Sequence, residues 1–331
     1  MLTESSMTST TVWPKGIIQV KVPLPFSLKW VNSYLLRDEK GYTLIDPGLH
    51  TPESIETWNA ALAEHDIVIQ DIHTIVLTHQ HPDHYGLAGW FQQRTGAPVL
   101  ISPRSYAYIV KMWGKDRSYA AELVALYRQH GMPEHLLDAM PPHLESFMDK
   151  VSPQPEVTFI EAGGVLRMAG MDWQMIDAPG HASGQLCFYA PERKWMICGD
   201  QVLPNITPNV SVVPGDEGGE LEQFLGSLKQ LGAYEVELAF PGHRDPFTGF
   251  GLRIEELIDH HKRRLESIAE RVKEEGCTGY AMCERLFGAR IAGNPHNLRF
   301  AMSETLAHLF HLEQRNEISS SIRDGVIVYQ A

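Results

Sequence analysis

The chain has 331 residues, 43% hydrophobic and 21% charged, the balance of a globular protein with a buried core rather than a disordered one. Its 41 acidic residues outnumber 28 basic ones, for a formal net charge of −13, which disfavours unspecific binding to nucleic acid. No apolar run approaches the roughly 20 residues of a membrane span. Residues 1–11 read as a polar tail rather than a signal peptide. Cys187, Cys198, Cys277 and Cys283 form no CxxC pair, so reduced, buried thiols and a cytoplasmic location are expected.

Residues 16–22 and 30–36 are rich in β-branched and aromatic side chains and read as strands. So do residues 42–45, which run into the turn Asp46-Pro47-Gly48. Over 53–64, Ile55, Trp58, Ala61 and Leu62 recur at helical spacing. Residues 72–77 form another strand, and a helix is expected from Pro82, with Leu87, Trp90 and Phe91 on its apolar face and Gly96 at its end. This alternation indicates an α/β architecture. Residues 103–150 are crowded with Tyr, Trp and Met and broken by Pro133, Pro141 and Pro142, so short helices forming a cap insertion are expected.

Strands return at 157–160, 165–168, 173–176, 185–189 and 194–197. A helix at 221–231 and a strand at 236–240 follow. Beyond 251 the pattern is helical over 252–272, 280–286 and 298–312, and it closes on a hairpin around Asp324-Gly325. The expected organisation is a catalytic domain over 1–250 and a small winged-helix-like domain over 251–331.

Thr78-His79-Gln80-His81-Pro82-Asp83-His84 carries the strongest chemical signal. His79 and His81 leave a strand two positions apart and can face the same way, and Asp83 and His84 open the next helix and can point back. Imidazole and carboxylate together suit zinc and similar cations. Asp46, His181, Asp200 and His243 each follow an expected strand, where loops of layered α/β folds converge. Any one of them alone would read as a turn or cap residue. Their joint appearance points to one site.

The order of these segments resembles the metallo-β-lactamase superfamily, whose signature is HxHxDH followed by separated His, Asp and His. The resemblance implies an αββα sandwich with two metals at one edge of its sheets. It implies that His79, His81 and His181 bind the first metal and that Asp83, His84 and His243 bind the second. Asp200 would bridge both, with a water or hydroxide, and Asp46 would be a supporting acid rather than a ligand. Asp83 would also orient the hydroxide and pass a proton to the leaving group. Common zinc β-lactamases have Cys at the Asp200 position, so the set is similar instead to the glyoxalase II, lactonase and RNase Z-like branches.

The expected activity is hydrolysis of a small-molecule ester, thioester or lactone, with two divalent ions, zinc first and iron or manganese as alternatives. The cap and the loop 204–209 would enclose an apolar part of the substrate. A phosphodiesterase or endoribonuclease is the alternative, on the strength of Lys262-Arg263-Arg264. A DNA-binding regulator using the winged helix is the weaker one. Nucleic acid and membranes are disfavoured as partners. Homodimerisation, and whether His260 and His261 reach the site, are left open by the sequence.

Overall fold

The computed structural model describes residues 9–215 and 219–331. Strands β1 (Thr10–Trp13), β2 (Ile17–Pro23), β3 (Trp30–Asp38) and β4 (Gly41–Ile45) form an antiparallel meander. Helix α1 (Pro52–Glu64) follows, capped by Thr51 Oγ1, which accepts from the Ser54 amide at 3.1 Å. β5 (Ile72–Val76) then joins β4 in parallel. Helices α2 (Pro82–Tyr85) and α3 (Ala88–Thr95) lead to β6 (Val99–Ile101). The insertion contains α4 (Pro103–Trp113), α5 (Tyr119–Gln129), α6 (Glu134–Leu137) and α7 (Met140–Glu145), and β7 (Val157–Phe159) completes a seven-stranded sheet in sequence order.

The second sheet contains β8 (Val165–Met168), β9 (Met171–Asp177), β10 (Leu186–Ala190), β11 (Trp195–Gly199) and, after α8 (Glu220–Leu231), β12 (Leu238–Pro241). Alternation along the strands explains why the sheets stack. Tyr34, Leu36, Ile45 and Val76 point from the first sheet into a core shared with Trp173, Phe188, Ile197 and Phe240 of the second. Their neighbours Leu35, Leu44 and Ile75 point the other way, with Trp58 and Leu62 of α1 and Phe91 of α3. Cys187, Met196 and Ala239 likewise face outward in one cluster with Phe224 and Leu228 of α8. The result is the expected αββα sandwich.

The C-terminal part is α9 (Phe250–Glu274), β13 (Cys277–Thr278), α10 (Gly279–Phe287), α11 (Pro295–Gln314) and the hairpin β14 (Ser319–Arg323) and β15 (Val326–Gln330). Asp324 and Gly325 turn that hairpin with φ of 49° and 80°, the left-handed pair a tight two-residue turn requires. α11 is buried on nearly every side, from Leu298 through Met302 and Leu306 to Leu312. It is tied to the cap by Tyr127, whose hydroxyl donates to the Arg299 carbonyl at 2.7 Å and lies 2.6 Å from Ser303 Oγ.

Three expectations need correction. Within the tail reading, residues 1–8 lie outside the described residues, but Thr10 and Thr11 pair with Val20 and Gln19 as part of β1. The helix expected from Pro82 to Gly96 is interrupted at Gly86 and Leu87. There the chain passes so close to its neighbours that a Cβ on Gly86 would lie 2.4 Å from the Lys150 carbonyl oxygen. Strands β6 and β13 are too short to show a periodicity and were not expected. All four cysteines are free and buried, as expected. Among the described residues no helix is long and apolar enough to cross a membrane.

Candidate metal centre

Each functional side chain stands just beyond the end of a strand. Asp46 follows β4, the segment from Thr78 follows β5, His181 follows β9, Asp200 follows β11 and His243 follows β12. Parallel pairing of β4 with β5 and of β11 with β12 sends these ends to one edge of the sandwich.

The structure brings the seven candidate ligands together. His81 Nδ1 lies 3.1 Å from His79 Nε2 and 3.0 Å from His181 Nε2. Nitrogens bound to one tetrahedral cation at about 2.0–2.1 Å would be about 3.3 Å apart, so this spacing is close to that of a closed N₃ face. Beside it, Asp83 Oδ2 lies 3.2 Å from His243 Nε2 and 3.9 Å from His84 Nε2. Asp200 stands between the groups. Its Oδ1 is 3.4 Å from His84 Nε2, and its Oδ2 is 3.2 Å from His243 Nε2 and 3.6 Å from His181 Nε2.

The outward nitrogens decide which way the lone pairs point. His181 Nδ1 donates to the Asn209 carbonyl at 2.8 Å, and His243 Nδ1 donates to the Trp30 carbonyl at 2.9 Å. His84 Nδ1 donates to Asp46 Oδ2 at 2.8 Å. Thr78 Oγ1 gives its proton to Asp46 Oδ2 at 2.7 Å, so it can only accept from His79 Nδ1, 2.9 Å away. In all four rings Nε2 therefore faces the cluster, the orientation that supporting acceptors impose on metal-binding histidines.

Asp46 is engaged elsewhere: Oδ1 accepts from the Thr78 amide at 2.8 Å, and Oδ2 accepts the two donors just named. It orients ligands rather than joining them. Its φ of 49° places a non-glycine residue in left-handed backbone, a strain this network holds in place. Gly242 serves the cluster by having no side chain. A Cβ there would lie 2.1 Å from Asp200 Oδ1 and 2.6 Å from His84 Cε1.

Burial pushes His79 well below its ordinary value and His81 down to about 3, and it lowers His181 as well. These rings are neutral, as ligands must be. His84 and His243 go the other way. Burial opposes the charged form, but Asp200, Asp46 and Asp83 raise His84, and Asp200 and Asp83 push His243 up to about 10. Despite burial, the same two imidazoles hold Asp83 and Asp200 below the carboxylate range. That half of the cluster collects positive charge between its carboxylates. His84 Nε2, His243 Nε2 and Asp200 Oδ1 are nonetheless buried without a hydrogen bond, which leaves ligating atoms facing a gap whose carboxylates favour positive charge. Chemistry, spacing and orphaned atoms all fit a pair of divalent cations.

A family model described as the metallo-beta-lactamase superfamily matches residues 31–243. The chain belongs to this superfamily. A second model, the metallo-beta-lactamase-like C-terminal domain, matches residues 265–331. The metallo-beta-lactamase family protein TTHA1429 of Thermus thermophilus superposes with a TM-score of 0.85 at 31% identity, covering 95% of this chain and 98% of that one. A beta-lactamase domain protein from Burkholderia ambifaria gives 0.88 at 26% identity, covering 99% and 96%. The probable metallo-hydrolase YqjP of Bacillus subtilis is 27% identical over 321 residues, 96% of this chain and 98% of its own length. An atrochrysone carboxyl ACP thioesterase of Aspergillus fumigatus is 24% identical over 246 residues, 74% of this chain but only 61% of that protein.

In this superfamily member the cluster opens into a cavity of about 240 Å³. The cap supplies Tyr108, Met112, Trp113, Leu144 and Phe147 to its wall, and the loop after β11 supplies Ile206 to Asn209. The sequence reading missed two further walls, Phe26 to Leu28 between β2 and β3, and His296, Arg299 and Phe300 at the start of α11. It also missed Thr78 and the carbonyls of Trp30 and Asn209 as orienting acceptors. Of these, Thr78 alone had a visible signal, its place beside the histidine cluster. Neither His260 nor His261 lines the cavity. His261 is buried with its Nδ1 3.1 Å from His308 Nε2.

Proposed function

We propose that the chain is a hydrolase that holds two divalent cations and cleaves an ester, thioester or lactone. His79, His81 and His181 would hold one cation, Asp83, His84 and His243 the other, with Asp200 between them. Zinc suits this donor set, and iron or manganese could replace it. The observation that carries the reading is the commitment of four imidazoles, through Thr78, Asp46, Asn209 and Trp30, to turn Nε2 toward one point. Cations bound there supply Lewis acidity and bring the ionisation of a water close to neutral pH.

The protein's own groups supply the rest. Asp83 Oδ2 faces His243 and His84, which leaves Oδ1 of this ionised, cavity-lining carboxylate to take a proton and return it to a leaving group. Asp46 keeps His84 in the tautomer that binding requires. The aromatic and aliphatic wall excludes water and suits an apolar acyl group. Relatedness to fungal thioesterases adds support for a thioester.

The two alternatives lose ground on specific contacts. Of the basic cluster on α9, Arg264 is paired with Glu304 and lies over the Phe287 ring, so it is not offered to a phosphate backbone. A winged-helix-like unit over 251–331 is supported by the order helix, strand, helix, helix, hairpin, and by the sheet order β13-β15-β14. The helix that would enter a DNA groove in such a unit is α11, and here it is buried against the cap and the catalytic unit over 1–250. The test is metal content, with about two ions per chain expected for a dinuclear site, alongside turnover of an acyl thioester and of a bis-phosphodiester. Thioesterase activity that survives chelation or His81→Ala would overturn the proposal.

A further inference from the structure

The start of α11 carries a face that the ligand cluster does not use. His296, Arg299 and Phe300 stand at i, i+3 and i+4, so they share one side of the helix, and all three line the cavity with Asp83, Asp200 and His243. Leu298, Ala301 and Met302 turn into the core. His296 stacks on Phe26 with ring centroids 4.4 Å apart and planes 5° apart, and Phe147 of the cap stacks on the same Phe26. The wall opposite the ligands is thus a set of flat rings.

One charge is set in this wall. The Arg299 guanidinium carbon is 4.0 Å from the centre of the Phe300 ring. Its Nε is buried without a hydrogen-bond partner, and among the described residues it has no ion pair. The acidic groups that line the cavity, Asp83 and Asp200, are taken up by His84 and His243. Burial, with Arg299 next, pushes His296 down to about 4, so that ring is neutral and adds no competing charge. Two more polar atoms in the same wall, His296 Nδ1 and Trp113 Nε1, are also buried without partners. Arg299 is half-buried, with Nε out of water and its terminal nitrogens not buried, and its planar fork matches a carboxylate in two parallel bonds. One cation balances one negative charge, as a carboxylate carries, whereas a dianionic phosphate would leave a second charge without a cation in this wall.

We propose that Arg299 seats a free carboxylate on the acyl part of the substrate, so that the preferred esters or thioesters are those of apolar, ring-bearing acids with a second carboxylate. This rests on the hydrolase reading for its substrate but not for its binding site, and the two can fail separately. The test compares the N-acetylcysteamine monothioester of terephthalic acid with its methyl ester, which has nearly the same shape and no charge. In the wild type the charged thioester has the higher kcat/KM, and Arg299→Met lowers that preference about 10- to 100-fold, the worth of a hydrogen-bonded charge. Arg299→Lys, which keeps the charge and loses the fork, falls between; it carries the test if Arg299→Met does not fold.

Calorimetry on metal-stripped protein gives the second readout, with 2-naphthoate binding more tightly than neutral 2-naphthamide and Arg299→Met removing the difference. Equal use of the two thioesters, or a preference that survives Arg299→Met, would overturn the carboxylate seat and leave the hydrolase reading standing. Arg299-dependent naphthoate binding without hydrolysis of either thioester would do the reverse.

Discussion

The ligand cluster and the cavity wall are built on opposite principles. In the cluster, polar atoms lie about 3 Å apart, and the outward nitrogen of four rings has a named acceptor. The wall draws on four separate stretches of chain, packs mostly by rings, and leaves polar atoms of Trp113, His296 and Arg299 unpaired. A centre that must hold cations needs preorganised donors, and strand ends supply them because the sheet fixes their backbone. A wall that selects a substrate keeps its unmet polar groups for the ligand. Reaction type is therefore set by the cluster and choice of substrate by the wall.

The most drastic way to break the cluster without touching a ligand is Gly242→Ala. The added methyl would fall within 2.1 Å of Asp200 Oδ1, so Asp200 or the loop must move. Metal content is expected to fall from about two ions per chain, the dinuclear count, to one or none, and turnover to background. Mass spectrometry of the intact loaded protein would show it. A fully loaded, active variant would mean that the cluster is less tightly built than its geometry states.

The two halves of the cluster should also differ in their response to pH. His79, His81 and His181 are pushed below their ordinary values, so near neutrality their cation meets bare nitrogens and its affinity is almost flat. His84 is raised and His243 is pushed up to about 10, so without metal both carry a proton that a cation must displace. Affinity for the second cation should therefore rise with pH from 6 to 9, about tenfold per unit for each proton displaced. Titrations at several pH values, with proton release read in two buffers, would reveal one flat and one steep isotherm. Parallel isotherms would refute the division into two halves.

Asp46→Asn tests the orientation of His84 directly and that of His79 through Thr78. The amide can offer His84 Nδ1 a donor in place of an acceptor, which favours the tautomer with its proton on Nε2. The second cation should bind about 10- to 100-fold more weakly, the usual cost of losing such a support. Competition against a chromogenic chelator measures it, and unchanged affinity would leave Asp46 a turn residue only.

This contrast explains how much could be read from the sequence. The sandwich was legible because residues 30–36 are rich in β-branched and aromatic side chains and 42–45 run into a turn signal, and the cluster because four ligands fall within Thr78 to His84. Asp46 was legible as a site residue because it ends such a strand, and as a supporting acid only through the family resemblance. The acceptors on Trp30 and Asn209 were not, because a backbone carbonyl has no residue signature. His296, Arg299 and Phe300 were hidden for another reason. The expected helix began only at 298, and α11 is buried on nearly all sides, by polar as well as apolar residues, so nothing local marks which side faces a cavity. The cap was recognisable by composition and expected as an enclosing wall, but its tie to α11 through Tyr127 had no local signal.

The smallest expected effect asks whether the two regions are as separate as they look. Asn209 accepts from His181 through its carbonyl, and its amide donates to Glu304 Oε2 of α11 at 2.7 Å. Glu304 is buried and also pairs with Arg264 of α9, so three helical and loop segments converge behind one ligand. Glu304→Ala leaves the Asn209 amide and the Arg264 guanidinium short of an acceptor, at a cost of about 1–3 kcal/mol in stability. If the loop then relaxes, His181 loses its fixed carbonyl, and affinity for the first cation should fall by up to about tenfold while the second is spared. A lower melting temperature with both affinities intact would show that α11 contributes only to the wall. A selective loss at the first cation would show that the C-terminal helices help to hold the centre itself, which would explain why α11 is so deeply buried.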